Sequence, residues 1–264
     1  MMRTVSSNDG TAIAFDQSGA GPAVILVGGA LSDRAAAAPV AALLAPHFTV
    51  VNFDRRGRGD SDDTPPYAVE REIEDIAALI DAVGGSACVF GGSSGAALAL
   101  EAANRGLPIT KLALYEPPFI VDNARRPIPE GYVAHLGELA TSGRRGEAVE
   151  YFLANAVEVP AEALAQMRQA PMWPAMEAMA HTLAYDGAIM EGNMVGKPFS
   201  PGQWAAVTIP TLVIDGGDSP VWMGHATQAV ADILPNARRL TLEGQTHAVD
   251  PTLLVPVLVK FFAD

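Results

Sequence analysis

The stretch from Cys88 to Leu100, Cys-Val-Phe-Gly-Gly-Ser-Ser-Gly-Ala-Ala-Leu-Ala-Leu, constrains the fold of this 264-residue chain more than any other. A short apolar run of β character stops at paired glycines and resumes as an Ala/Leu-rich helical pattern, so a strand and a helix must meet at Gly91-Gly92-Ser93-Ser94-Gly95. That is G-x-S-x-G, in which small residues flank a serine so that the backbone makes a strained strand-to-helix turn and leaves the hydroxyl exposed at its tip. Ser93 is therefore the candidate nucleophile. The helix expected over 94–104 would aim its free N–H groups and positive dipole end at an oxyanion formed there, the N–H of Ser94 being one donor. Two other readings fit the same letters. One is a Gly/Ser turn between any parallel strand and its crossover helix. The other is a frame shifted by one residue, with Ser94 as nucleophile. Strand register favours Ser93, because Phe90 and Gly91 then close the strand.

The remainder of the chain alternates in the same way. Segments 3–6 and 11–15 flank Asn8-Asp9-Gly10, a hairpin signal in which Asp-Gly supplies the positive-φ turn. Continuous apolar runs at 23–27, 48–53, 88–91, 111–115 and 208–214, with a further strand at 239–242, read as strands covered on both faces of a parallel sheet. Helical spacing predicts helices over 35–44, 68–83, 94–104, 223–234 and 251–262. Between 122 and 204 the pattern turns to helical segments rich in Ala, Met and Glu, broken by Pro127, Pro129, Pro160, Pro171 and Pro174. The expectation is an α/β chain: a mostly parallel, doubly wound, eight-stranded sheet formed by 1–121 and 205–264, with an inserted helical cap over 122–204.

Charge and cysteine usage narrow the chemistry. A net charge of −13, spread without blocks, argues against nucleic acid and against an anionic membrane surface. The single cysteine, Cys88, lies in an apolar run, which excludes an internal disulfide and a thiolate metal cluster; it reads as a small core residue. No His/Asp/Glu group has metal-ligand spacing, so neither metal nor cofactor is expected. No leader-like segment and no apolar run near the ~20 residues of a membrane span is seen, and the chain reads as cytoplasmic. A homodimer is the open expectation for its assembly.

Four features together resemble the α/β-hydrolase superfamily, of the lid-bearing serine esterase and haloalkane-dehalogenase-like type, over essentially the whole chain. They are Leu26-Val-Gly-Gly-Ala30, Phe53-Asp-Arg-Arg-Gly-Arg-Gly-Asp-Ser61, the turn at Ser93, and Glu243-Gly-Gln-Thr-His247. The resemblance implies that Gly28 replaces a histidine usual in the family, that Gly29 keeps the turn, and that the N–H of Ala30 joins that of Ser94 in an oxyanion hole. It makes His247 the general base, following the nucleophile–acid–histidine chain order. His47, His135 and His225 read as solvated or packed, and His181 as a residue that could line the pocket from above. The acid is open. Glu116, just past the sixth strand, matches the haloalkane-dehalogenase position and is placed ahead of Asp218, which falls one residue short of the commoner position; Asp215 and Asp250 are outside candidates. Cap residues Met167, Met172, Trp173, Met176, Met179 and Met190 imply a deformable apolar roof, with Trp173 and Met176 the substrate contacts singled out. A serine rather than an aspartate at 93 counts against dehalogenation and epoxide hydrolysis. The activity implied is acyl transfer on a small or medium hydrophobic ester, lactone or related carbonyl compound. C–C bond hydrolysis by the same triad, or a non-hydrolytic role as lyase, cofactor-free oxygenase or ligand receptor, stands as the alternative.

Overall fold

The computed structural model describes residues 2–264. The chain opens with a hairpin of β1 (Met2–Ser6) and β2 (Ala12–Ser18), turned at Gly10 with φ 86°. There follow β3 (Ala23–Val27), α1 (Arg34–Leu44), β4 (Thr49–Phe53), α2 (Val69–Ala82), β5 (Ala87–Gly92), α3 (Ser94–Asn104) and β6 (Ile109–Tyr115). Five helices come next: α4 (Tyr132–Thr141), α5 (Arg145–Asn155), α6 (Ala161–Met167), α7 (Trp173–Met179) and α8 (Leu183–Ile189), with a 3₁₀ turn at Ala180–Thr182. The chain closes with β7 (Thr211–Gly216), α9 (Val221–Ile233), β8 (Ala237–Leu242) and α10 (Pro251–Ala263).

The strands form one eight-stranded sheet in the order β1-β2-β4-β3-β5-β6-β7-β8, in which β2 alone runs against its neighbours. The expected α/β architecture is thus the observed one. After β3 the chain steps to one side to form β4 and then to the other to form β5. The carboxyl ends of β3 and β5 therefore lie at the switch point where open α/β sheets leave a crevice.

Two-residue alternation explains why the central strands are apolar throughout. Ile25 and Val27 of β3 and Ala87 and Val89 of β5 join the core on one face, with Ile76 and Ile80 of α2 and the alanine face of α3. Val24, Leu26, Cys88 and Phe90 join the core on the other, with Leu44 of α1 and Leu254, Leu258 and Phe262 of α10. Each large side chain buried there contributes about 1.5–3 kcal/mol relative to exposure. Cys88 is free and buried, as expected for a core residue. Helices α4 to α8 have a cluster of their own, including Tyr132, Leu136, Val149, Leu153, Trp173 and Leu183, whereas Met190, Met194 and Trp204 pack with the sheet.

Some boundaries differ from the sequence expectation. The seventh strand starts at Thr211 rather than 208, because Pro210 has no N–H to donate to the ladder; its carbonyl accepts from Leu112 N at 3.0 Å. The helix expected from 223 starts at Val221, directly after Pro220, whose carbonyl takes the N–H of Met223 at 2.8 Å.

Candidate active site

The turn between β5 and α3 places Ser93 at φ 56° and ψ −127°, a backbone region that non-glycine residues rarely occupy. Close packing makes it possible. A Cβ on Gly91 would lie 2.4 Å from the Gly95 carbonyl oxygen, and one on Gly95 would lie 2.2 Å from that of Val27, so the outer glycines are fixed by contact with backbone. The Ser93 N–H donates to Tyr115 O at 2.9 Å, which ties the turn to the end of β6. Ser94 opens α3, so its N–H is one of the free donors of the first helical turn. Its hydroxyl points elsewhere and donates to Asp186 Oδ1 at 2.7 Å. The side chain of Ser93 is the half-exposed one of the two.

Beside this turn, the segment after β3 is held by its carbonyls. The Gly29 oxygen accepts from Ser32 Oγ at 2.7 Å and from Arg58 Nη1 at 2.5 Å, and the Gly28 oxygen from Arg55 Nη1 at 3.2 Å. In a trans peptide the C=O and the next N–H point in opposite directions. Pinning the Gly29 carbonyl on Ser32 and Arg58 therefore turns the Ala30 N–H away from those two side chains. A Cβ on Gly29 would meet Ser93 Cβ at 3.0 Å, which measures how closely the two turns approach.

Glu116 follows the last residue of β6 at φ 45° and is fully buried. Its Oε1 accepts the Gly216 N–H at 2.8 Å, and its Oε2 lies 2.6 Å from His247 Nδ1. Burial raises the Glu116 pKa, but the hydrogen bonds with His247 and the Gly216 N–H outweigh it and hold the carboxyl below its ordinary value. The loop carrying His247 is anchored by Tyr115, whose hydroxyl donates to Thr246 O at 2.5 Å. Ser93, Ser94, Ala30 and His247 all border one cavity of about 190 Å³, closed over mainly by Ile120, Phe152, Met190, Met194, Trp222 and Met223. Ser93 and His247 face it with no direct hydrogen bond between them.

The other candidates go elsewhere. Asp218 is exposed and is held through its backbone, its N–H donating to Gln245 O at 2.8 Å. Asp215 is engaged by Arg239 at 2.6 and 2.9 Å, and Asp250 caps α10 through Thr252 N. His181 faces Asp63 at 3.8 Å, His135 packs on Tyr151, and His225 pairs with Asp122 at 2.5 Å. Trp173 and Met176 are a correction to the sequence reading. Both pack in the core of the helical insert, Trp173 with its Nε1 donating to Glu177 at 2.8 Å, and neither borders the cavity. The helices turn those faces toward each other; of the expected roof residues Met190 does border the cavity, and Met194, Trp222 and Met223 join it there.

Sequence reasoning missed a buried ionic network beneath the site. Arg55 grips Glu72 through Nε and Nη2 (2.6 and 2.7 Å) and reaches Asp186 at 2.7 Å, while Arg58 reaches the other oxygen of Asp186 at 2.7 Å. Asp186 lies on α8, so one carboxylate joins the helical insert to both turns. The signal available was the cluster of arginines in 54–61, but their partners lie far off in sequence. Arg125, buried beside the cavity, was missed as well. Among the described residues no group of three or more His, Cys, Asp or Glu could hold a metal ion, and no helix is long and apolar enough to cross a membrane.

Residues 23–255 match the alpha/beta hydrolase family. Among solved structures, the chain is 60% identical to an alpha/beta hydrolase from Sphaerobacter thermophilus, with a TM-score of 0.91 over 98% of this chain and 100% of that one. It is also similar to a hydrolase from Pseudomonas aeruginosa (24% identity, TM-score 0.74, 100% and 98% covered). An enol-lactonase from Burkholderia xenovorans is comparable (23% identity, TM-score 0.74, 99% and 100% covered). At these last two identities the likeness is one of fold.

Proposed function

The chain belongs to the alpha/beta hydrolase family, and from that premise we propose that it is a serine hydrolase acting by acyl transfer on a small ester, lactone or related carbonyl compound. The observation that carries the reading is the 2.6 Å contact of buried Glu116 with His247 Nδ1, made by a histidine that shares one cavity with Ser93. Glu116 fixes the tautomer with the proton on Nδ1, leaving Nε2 to take the proton of Ser93 Oγ as that oxygen attacks the substrate carbonyl carbon. The carbonyl oxygen becomes an oxyanion opposite the N–H groups of Ala30 and Ser94. Collapse expels the alcohol, which takes the proton from His247, and water then releases the acid from the acyl-enzyme by the same path. A cavity of about 190 Å³ favours short substrates, since drug-sized pockets run to roughly 300–1,000 Å³. In this reading helices α4 to α8 act as the cap.

The test is turnover of short p-nitrophenyl esters together with labelling by a fluorophosphonate. We expect stoichiometric labelling at Ser93, with turnover and labelling both lost in Ser93→Ala and retained in Ser94→Ala at the level of the label. Labelling of Ser94, or none at all in a protein that binds apolar ligands, would overturn the assignment.

A further inference from the structure

The cavity is walled mainly by carbon, yet a cation borders it. Arg125 is 8% exposed, and its guanidinium lies 4.5 Å from the centre of the Trp222 ring, which is itself a cavity wall. Of the five N–H donors of a guanidinium, two have good acceptors: Nη1 donates to Ala156 O at 3.0 Å and Nη2 to Asn155 O at 2.8 Å. Nε is buried with no partner at all. The ion pair with Glu158 is long, 3.6 Å from Nη2, beyond hydrogen-bond range. Glu158 also borders the cavity, is partly exposed, and sits on strained backbone at φ 61°.

A guanidinium taken out of water is costly unless it is paired and its donors are satisfied. The two carbonyls at the end of α5 meet part of that need, and a loosely placed carboxylate on a strained loop meets little of the rest. We propose that Arg125 is the anchor for a carboxylate carried by the substrate, so that the hydrolase acts on esters or lactones whose acyl chain ends in a carboxylate. The inference rests on the serine-hydrolase reading for the reaction, though not for the binding. Planar, bidentate pairing with a carboxylate is what the unused Nε edge of the guanidinium offers, and the Trp222 ring against its face keeps that edge in place. Glu158 is then an internal stand-in, near enough to Arg125 to balance its charge and exposed enough to turn out to solvent when a substrate carboxylate enters. A purely structural Arg125, closing the C-terminus of α5, predicts no discrimination between charged and neutral ligands.

The experiment uses matched pairs on the full chain. Binding is measured by calorimetry with two non-hydrolysable ketones, 6-oxoheptanoate and neutral 2-octanone. Turnover is measured with mono-p-nitrophenyl adipate against p-nitrophenyl hexanoate, and with the glutarate and pentanoate pair, each corrected for its enzyme-free rate. The charged member of each pair is expected to be favoured about 10- to 100-fold, the range of a hydrogen bond to a charged group. Arg125→Met should bring that ratio to near one or below, Arg125→Lys should restore part of it, and Glu158→Gln should raise it by removing the competitor. If Arg125→Met does not fold, the wild-type ratio and Glu158→Gln still decide. Equal or better binding of the neutral ketone by the wild type, or a ratio unchanged by Arg125→Met, overturns the proposal. Preference for 6-oxoheptanoate with no turnover of any ester would leave the anion site standing and sink the hydrolase reading instead.

Discussion

Asp186 is the residue whose removal should reveal most about how the site is built. It is 1% exposed and receives three hydrogen bonds of 2.7 Å, from Arg55, Arg58 and Ser94 Oγ. With Glu72 it balances two buried guanidinium groups, charge for charge. Burial raises its pKa, but Arg58 and Arg55, followed by the hydrogen bond from Ser94, hold it below its ordinary value, so Asp186 is ionised at neutral pH. Asp186→Asn keeps the shape and leaves one buried positive charge uncompensated, a defect that costs about 3–5 kcal/mol. At roughly 2–4 °C per kcal/mol for a domain of this size, the melting temperature should fall by about 6–20 °C, read by circular dichroism or calorimetry. Arg58→Met in the same chain restores charge parity, so the double variant should be more stable than Asp186→Asn alone, with a coupling of about 0.5–3 kcal/mol. Its turnover should not recover, because Arg58 also holds the Gly29 carbonyl and with it the direction of the Ala30 N–H. A loss below about 1 kcal/mol in Asp186→Asn, or strictly additive effects of the two changes, would refute the account of Asp186 as a charge-balancing tie.

Three further outcomes are expected. Glu116→Gln should lower ester turnover by roughly 10⁴-fold, as loss of the acid does in the best-studied triad, whereas Asp218→Asn should stay near wild type; steady-state kinetics on one ester compares them, and the reverse order would move the role to the loop after β7. Because the Glu116 pKa is lower in the folded chain than its ordinary value, its stabilising contribution is full above the ordinary carboxylate pKa of about 4.3 and is lost as pH falls through the folded value. Urea titrations should therefore show a constant gap between wild type and Glu116→Gln from neutrality down to about that pH, closing in more acid solution. Finally, Gly95→Ala places a Cβ 2.2 Å from the Val27 carbonyl oxygen and should cost about 1–3 kcal/mol as overpacking does, with turnover lost through displacement of the Ser93 turn; near-wild-type denaturation midpoint and activity would show that the turn is looser than its contacts imply.

The sequence by itself determined whatever depends on near neighbours along the chain. Apolar runs at 23–27 and 88–91 could only be buried strands, and paired glycines around Ser93 could only be a tight strand-to-helix turn, because strand, turn and helix are each specified within a few residues. A mostly parallel, doubly wound sheet followed from the alternation, and Glu116 at the tip of β6 and His247 beyond β8 could be named as residues brought to one edge of the sheet. Tertiary structure decided the rest. Which carboxylate reaches His247 depends on a Gly216 N–H and a Tyr115–Thr246 bond that join separate loops, while Asp218 is left exposed on its own loop. Trp173 and Met176 look in sequence like the roof residue Met190; helix-on-helix packing, which no local pattern encodes, sends those two into the insert while Met190 stays at the cavity and Met194 joins it. The arginines of 54–61 were visible, but their partner Asp186 stands 128 and 131 residues away, and a charge buried against a distant opposite charge leaves no mark on its neighbours in the chain.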